Sequence, residues 1–409
     1  MFRPKYLAYR VFQFFFYKAS YFLYWPAPTL LTGENCVLKL PEEMKRRGVT
    51  HTLFVTDSNL IKIGLPGPLL EALKVANIRC TIFDAVMPNP RSDMIKQAAK
   101  IYAQEGCDAL VAMGGGSVID TAKIAAARVA LPRKSIARMG GFLKIGKKLP
   151  PIFAIPTTAG TGSEVTIAAV VTDEHHHKYA INDPRLLPVC AVLDPKLTAT
   201  LPRSITADTG MDALTHAVEA YITRGVSGKC RRLSEEAVKL IFANLPEAYQ
   251  NGADMEARMN MLLASFYAGD SFTRAGLTYV HPIAHTLGGI YGTPHGRANA
   301  VILPYVLEAF GSRVHLQLAK LAAVAGLDVA GKTEAQAAVA FIAAIRKMNH
   351  DMGLPETFDF IKEEDIPQMV KWAIGEANPW YPPPVLFGTE ELTAVVRRIM
   401  AKKTPAENL

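Results

Sequence analysis

The sequence predicts an α/β fold joined to an all-α region: an N-terminal Rossmann-like domain with a parallel sheet, then a C-terminal all-helical domain. Between about residues 34 and 203, short apolar runs rich in β-branched residues alternate with helical patterns, which is typical of a parallel sheet covered by helices. After residue 203 the segments are long, rich in Ala and Leu, and contain few β-branched runs. At 409 residues the chain is long enough for two domains. We therefore place the limits at 1–27 for an N-terminal extension, 28–203 and 204–409.

Six short segments of the first domain have the composition of strands. They are Thr52–Thr56, Cys80–Phe83, Ala109–Met113, Ile152–Pro156, Ala168–Thr172 and Cys190–Leu193. Helical stretches such as Leu69–Ala76 and Ser92–Glu105 separate the early strands, so the sheet is expected to be largely parallel. Residues 172–178 predict a polar hairpin turn, and we expect the histidines at 175 to 177 to be solvated.

The second domain is expected to consist of helices. The predicted helices are 204–223, 228–244, 255–268, 298–310, 314–325 and 333–352. No repeat or low-complexity segment interrupts them.

The extension at the N-terminus has an unusual composition. Residues 1–25 contain twelve aromatic residues and four basic ones, and no acid occurs before Glu34. On a helix, Arg10, Gln13 and Tyr17 would fall on one narrow polar stripe. The apolar stretch between Arg10 and Lys18 is too short to span a bilayer, and no signal-peptide cleavage pattern follows it. We expect a helix on an anionic membrane surface, with packing on the protein itself or on a partner subunit as the alternative.

Charge and cysteine content exclude several classes of protein. The net charge of +8 is not concentrated in a basic block with interleaved aromatics in the body of the chain, so nucleic acid is not an expected partner. The five cysteines are scattered and form no CxxC pair, so neither a disulfide framework nor a thiolate zinc site is indicated. We expect a cytoplasmic protein, with membrane association through residues 1–25 left open.

Two pairs of potential metal ligands lie in the second domain. Asp212 and His216 are four residues apart, and His281 and His285 repeat that spacing, which places each pair on one face of a helix. His295 follows in a Pro-His-Gly turn. Either pair alone is compatible with ordinary core residues. Together, a carboxylate and several imidazoles indicate a site for a divalent metal.

A glycine-rich turn in the first domain has the features of a phosphate site. Gly114, Gly115, Gly116 and Ser117 follow an apolar strand and precede the helical stretch 118–127. Glycines there let backbone amides approach a phosphate at the positive end of the helix. The alternative is a tight turn without a ligand.

A second loop carries short hydroxyl side chains. Thr157, Thr158, Thr161 and Ser163 follow the predicted strand Ile152–Pro156. Such donors suit ribose and phosphate groups, although a solvated Ser/Thr loop would have the same composition.

Asp57 follows the strand Thr52–Thr56. A carboxylate at this place can bind ribose hydroxyls and repel a 2′-phosphate, which favours NAD over NADP. The alternative is an N-cap for the next helix.

The motifs MDALTHAVEAYIT and HPIAHTLGGIYGTPHGRANAVILP resemble those of the iron-containing (group III) alcohol dehydrogenases. The resemblance extends from about residue 28 onward and keeps the motifs in family order. It implies that Asp212, His216, His281 and His295 are the metal ligands. It also implies that His285 is a catalytic proton relay near the substrate and not a ligand.

The resemblance also extends to the cofactor motifs. The segment GGGSVIDTAK, which includes Asp120, matches the family's pyrophosphate loop, and the Thr157–Ser163 loop matches its cofactor clamp. Lys178 matches a position near the nicotinamide ribose, although a surface charge is the alternative.

The function implied by the resemblance is reversible hydride transfer between a small primary alcohol or diol and NAD. Iron is the expected metal, and zinc is an alternative because imidazole and carboxylate ligands bind zinc more tightly. We also expect a homodimer or higher homo-oligomer. Glycerol dehydrogenase or dehydroquinate-synthase relatives would resemble the cofactor half. A hydroxyacid–oxoacid transhydrogenase with retained cofactor and a membrane-docked non-catalytic scaffold are further alternatives.

Overall fold

The structure of the protein is a computed structural model that describes residues 4–20, 26–174 and 177–401. Its architecture confirms the predicted fold class, because a parallel α/β sheet is followed by a helical region. The nine strands are β1 (Thr29–Thr32), β2 (His51–Val55), β3 (Arg79–Phe83), β4 (Ala109–Gly114), β5 (Gly141–Phe142), β6 (Ile152–Pro156), β7 (Ala168–Thr172), β8 (Lys178–Asn182) and β9 (Cys190–Leu193).

Six strands form one sheet in the order β1-β9-β6-β4-β2-β3, and every neighbouring pair is parallel. β2, β4 and β6 are buried along their whole length, as expected for strands covered on both faces. They are neighbours in the sheet, and Gly114 at the end of β4 pairs with Pro156 at the end of β6. The loops after these three strands therefore begin at the same edge.

A second sheet has the order β5-β8-β7. β7 was predicted as a strand, but it pairs antiparallel with β8 outside the main sheet, which confirms the hairpin. His175 and His176 lie outside the described residues. His177 is not simply solvated, because its ring lies 5.1 Å from that of Trp372.

The described residues of the N-terminal half form six α-helices. They are α1 (Pro4–Ser20), α2 (Leu40–Arg46), α3 (Ser58–Lys62), α4 (Gly67–Val75), α5 (Ser92–Glu105) and α6 (Gly116–Ala130). Short 3₁₀ helices occur at Cys36–Lys39, Ala137–Met139, Ser163–Val165, Pro184–Leu186, Pro195–Leu197, Gly311–Arg313 and Glu363–Asp365.

The C-terminal half is helical, as predicted. Its helices are α7 (Arg203–Ile222), α8 (Gly228–Gln250), α9 (Met255–Ala275), α10 (Val280–Ile290), α11 (His295–Phe310), α12 (His315–Val324), α13 (Glu334–Asp351), α14 (Ile366–Ala377) and α15 (Thr389–Ile399). α7 packs against α8, α9 and α11 and is buried on almost all sides from residue 206 onward. A helix buried all round lies at the centre of its region, and the polar side chains of α7 are therefore held in a rigid interior.

α1 packs on the protein itself, which was the alternative to membrane contact. Arg10 donates hydrogen bonds to the carbonyl oxygens of Pro383 (2.7 Å) and Pro384 (3.0 Å), and buried Gln13 donates to that of Tyr381 (2.6 Å). The predicted polar stripe therefore faces the protein, because backbone carbonyls there accept its hydrogen bonds. No helix in the described ranges is long and apolar enough to cross a membrane.

Candidate active site

Three potential metal ligands converge in the helical region. Asp212 and His216 project from α7, and His281 lies near the start of α10. One ligand atom from each lies within 4.8 Å of the others, and all three side chains are buried. Asp212 and His216 are four residues apart on α7, so their side chains leave the same face of the helix and both face α10.

His295 completes the predicted ligand set at the rim of this cluster. It is the first residue of α11, and its Nε2 lies 3.6 Å from Oδ1 of Asp212. Nε2 of His281 lies 3.7 Å from the same oxygen. Two atoms that bind one ion at about 2.1 Å are separated by roughly 3 to 4 Å. The arrangement of these donors therefore fits a single divalent cation.

One carboxylate and one amide, which the sequence analysis missed, form hydrogen bonds to the potential ligands. Glu219 accepts a hydrogen bond from Nδ1 of His281, which leaves Nε2 directed at Asp212. Asn299 donates to Oδ1 of Asp212 at 2.6 Å. Carboxylates that orient a metal-binding imidazole are a usual part of such sites. Glu219 is three residues after His216 on the same helix, so its spacing could have revealed it.

Burial and neighbouring charges shift the pKa values of residues in the cluster. Although burial opposes it, the neighbouring His216 and His295 imidazoles hold the pKa of Asp212 well below its usual range. Burial lowers the pKa of His216 to about 4, so this imidazole is neutral near pH 7 and can donate its lone pair. The ring of His216 is stacked between those of Phe272 and His281, each 4.3 Å away.

His285 lies beside the cluster without joining it. Its Nδ1 is 2.9 Å from Oε1 of Glu376 on α14, and its ring stacks on that of His295 at 5.1 Å. The hydroxyl of Tyr381 donates to the same glutamate oxygen at 3.3 Å. No sequence pattern indicates Glu376, because it lies far from the histidine motif along the chain.

The glycine-rich turn forms the N-terminus of α6. Gly115 is the N-cap, and the helix begins at Gly116. A Cβ on Gly116 would lie 2.6 Å from Cγ2 of Thr161, so the absence of a side chain allows the two predicted cofactor loops to touch. Gly114 ends β4 and is tightly packed, since its Cβ would lie 2.5 Å from Cγ2 of Val118.

Asp120 and Ser163 connect the same two loops. The Ser163 hydroxyl donates to Asp120 Oδ1 at 2.7 Å, and the amide of Val170 donates to Oδ2 at 2.9 Å. Both oxygens of Asp120 are therefore used inside the protein. This carboxylate holds the loops in place, in addition to facing the cavity.

Asp57 and Lys178 line the same cavity. Asp57 is the N-cap of α3, and its Oδ1 accepts both cap hydrogen bonds, from Asn59 and Leu60. Its Oδ2 accepts no hydrogen bond within the described part of the chain, so the two interpretations of this residue are compatible. Lys178 is buried rather than on the surface, and burial lowers its pKa to about 8.

One cavity of about 910 Å³ brings these residues together. The sequence-predicted residues that line it are Asp57, Gly115, Gly116, Ser117, Asp120, Thr157, Thr158, Thr161, Ser163, Lys178, Asp212, His216, His281, His285 and His295. Gly114 does not line it. The cavity therefore joins a nucleotide-sized cleft at the sheet edge to the cluster of ligands in the helical region.

Two family models match the chain along most of its length. The model for iron-containing alcohol dehydrogenases matches residues 27–195, and the model for the C-terminal part of the Fe-containing alcohol dehydrogenase family matches residues 206–400.

Individual proteins are similar over nearly the same length. A 1,3-propanediol dehydrogenase of Klebsiella pneumoniae is 36% identical over 397 residues, which cover 96% of this chain and 100% of the relative. An NAD-dependent methanol dehydrogenase of Bacillus methanolicus is 37% identical and covers 84% of this chain and 91% of its own. A crystal structure of 1,3-propanediol oxidoreductase has a TM-score of 0.87 and 35% identity, covering 92% of this chain and 99% of its own.

Proposed function

The chain belongs to the iron-containing alcohol dehydrogenase family, and we propose that it transfers a hydride reversibly between a small primary alcohol or diol and NAD. The observation that carries the proposal is the single cavity shared by the potential metal ligands and the two glycine- and hydroxyl-rich loops. One relative is named as NAD-dependent and another as acting on a diol. Neither name fixes the substrate of this chain.

Asp212, His216, His281 and His295 would hold the iron. A bound divalent iron would act as a Lewis acid on the alcohol or carbonyl oxygen, and NAD would accept or supply the hydride. Asp212 is the one anionic ligand in this set, so the site keeps a net positive charge with a divalent ion. Glu219 and Asn299 fix His281 and Asp212 before any ligand arrives.

His285 is suited to move the proton released from the alcohol. A proton on Nδ1 donates to Glu376, which leaves Nε2 as an acceptor. His285 can therefore act as a general base in oxidation and as a general acid in reduction.

The cofactor would lie along the edge of the main sheet. Amides at Gly115, Gly116 and Ser117 at the N-terminus of α6 suit the pyrophosphate. Thr157, Thr158, Thr161 and Ser163 offer hydroxyls on the facing loop, with Asp120 holding that loop in place. The remaining Oδ2 of Asp57 suits the adenine ribose, and Lys178 suits the nicotinamide ribose.

A substrate panel with variants tests the proposal. We expect NADH formation, read by absorbance, with at least one of a set of short alcohols and diols. His281→Ala should lose both bound metal and turnover, while His285→Ala should keep metal and lose rate. Metal loss in His285→Ala with metal retained in His281→Ala would refute the ligand assignment. A transhydrogenase would turn over without added NAD and keep its cofactor through gel filtration.

The outer face of α1 supports a second proposal, peripheral contact with an anionic membrane. The side chains of Leu7, Val11, Phe14 and Phe15 are 49% to 65% exposed and lie on one face of the helix. α1 contains no acid, and Lys18 on the same face is also exposed. Apolar insertion and basic residues act together at such surfaces.

Vesicle co-sedimentation tests this contact. The wild type should pellet with anionic vesicles, and Phe14→Ser with Phe15→Ser should remain in the supernatant with unchanged activity. Equal pelleting of both proteins would reject the role of this face.

We also propose a homo-oligomer, which light scattering after gel filtration measures directly.

A further inference from the structure

We propose that α1 forms a wall of the alcohol pocket, and that Phe16 makes this enzyme prefer substrates whose carbon skeleton is apolar. The inference rests on the proposed function. Both family models begin after α1, the first at residue 27. Phe16 and Tyr17 nevertheless line the same cavity as His281 and His285. α1, which lies outside the segments matched by the two family models, therefore contributes surface to the site.

α1 is held against the pocket by specific contacts. Tyr17 is buried, and its hydroxyl donates to the carbonyl of Trp380 at 3.3 Å. Two glycines make room for its ring: a Cβ on Gly276 would lie 2.1 Å from the Tyr17 hydroxyl oxygen, and one on Gly225 would lie 2.7 Å from Cδ1. Together with the hydrogen bonds of Arg10 and Gln13, this contact fixes which residues of α1 face inward.

Phe16 adds to the aromatic lining of the cavity. Its ring meets that of Phe142 edge-on at 5.5 Å and that of Trp380 at 5.8 Å. Phe142 also lines the cavity, as does Phe272, which stacks on His216. Aromatic rings offer favourable contact to alkyl or aryl groups and no hydrogen bonds to hydroxyls.

Two polar side chains that line the cavity are already engaged. The hydroxyl of Tyr381 donates to Glu376, and Arg274 pairs with Asp270 at 2.7 Å. A second hydroxyl on the substrate would lose its water without gaining a comparable partner. The wall therefore favours an alcohol such as 1-butanol over 1,3-propanediol, which has the same number of heavy atoms.

Substitution of Phe16 tests this role. The wild type should have a kcat/KM for 1-butanol at least 10-fold above that for 1,3-propanediol. Phe16→Ala should shift the preferred chain length upward along a series of primary alcohols, by about 10-fold in the ratio of 1-octanol to ethanol. Phe15→Ala is the matched control, because Phe15 is 65% exposed on the outer face, and its profile should equal that of the wild type.

Phe16→Leu provides a milder second variant, with a smaller shift in the same direction. NADH affinity and thermal midpoint, measured alongside, identify a general loss of structure. A chain-length profile that is the same in wild type, Phe16→Leu and Phe16→Ala would overturn the inference, as would a preference for 1,3-propanediol. In both of these cases NADH still forms, whereas no NADH with any alcohol would mean that the proposed function itself had failed.

Discussion

At the scale of single residues, the site depends on acids placed behind the histidines. Glu219 is fully buried and accepts hydrogen bonds from His281 and from the amides of Thr278 (2.9 Å) and Val280 (3.1 Å). Burial alone would raise the pKa of Glu219, but His281 and these donors lower it. The carboxylate therefore stays ionised and holds the imidazole ready for a cation.

Removing the charge of Glu219 should weaken metal binding. Glu219→Gln keeps the size of the side chain but replaces the acceptor for His281, so we expect metal affinity to fall by about 10- to 100-fold. Competition with a chelator of known affinity measures the change. Glu235→Gln is the control, since Glu235 accepts a hydrogen bond from Tyr221 away from the ligands. Equal affinities for the two variants would contradict the role of Glu219.

Asp57 should set the preference for NAD. Asn retains the cap oxygen but not the charge, so Asp57→Asn should raise the kcat/KM ratio of NADP to NAD by about 10-fold while conserving α3. Asp254→Asn applies the same change to another N-cap, that of α9, which does not line the cavity. An unchanged ratio of the kcat/KM values for NADP and NAD in Asp57→Asn would contradict this role of the carboxylate.

Glu164 should make stability depend on pH. Burial raises its pKa to about 7 from 4.5, and its Oε1 has no hydrogen-bond partner among the described residues. The folded state binds the extra proton between these values, so stability is lost as pH rises through 7. Glu164→Gln should therefore gain about 2 to 3 kcal/mol over wild type between pH 5 and pH 8. Urea unfolding at both pH values measures this, and a constant difference would contradict it.

At the scale of elements, one close contact joins the loop after β6 to α9. Gly162 has φ +60°, and a Cβ there would lie 2.8 Å from Cα of Gly269 and from the carbonyl oxygen of Ser265. Both neighbours are backbone atoms and cannot turn away. The contact connects a predicted cofactor loop directly to the helical region.

Gly162→Ala should therefore destabilise the protein by about 2 to 4 kcal/mol, from the clash and from the left-handed backbone. Gly115→Ala should cost less than about 1 kcal/mol, because its Cβ would lie 3.5 Å or more from Thr158. Denaturant unfolding compares the two variants. Similar losses in the free energy of unfolding would show that the contact between Gly162 and α9 does not constrain the loop.

The elements also show what could be predicted from the sequence. Strands with a dense apolar composition, such as β4 and β6, were predicted almost to the residue, whereas β1, β5 and β8 were not. β8 contains Lys178 and Asn182, and it becomes a strand because it pairs with β7. The composition of a segment alone does not reveal which other strand it will pair with.

The same distinction applies to the site. Asp212 and His216 could be recognised because a helix repeats every 3.6 residues. Glu376 and Phe16 could not, because they reach the cavity through the packing of α14 and α1 on distant segments. The sequence also left the packing of α1 open between a membrane surface and the protein itself, and hydrogen bonds from Arg10 and Gln13 to the carbonyls of residues 379–384 hold it against the protein.

At the scale of the whole molecule, the two halves supply different parts of one reaction. The parallel sheet brings three loops to one edge, and the helical region holds a carboxylate and imidazoles in a rigid interior. Residues of both halves line one cavity, which would align a cofactor with the carbon of a bound alcohol. We therefore expect both halves to be needed for the same chemical step.

Titration of the metal-free enzyme with iron measures whether the ligands of the helical region are required for turnover. The protein is stripped with a chelator, Fe²⁺ is added back without oxygen, and NADH formation from a primary alcohol is followed at each addition. Activity should be absent at the start and rise linearly until one ion is bound per chain. A metal-free enzyme that forms NADH at the rate of the loaded one would contradict this expectation.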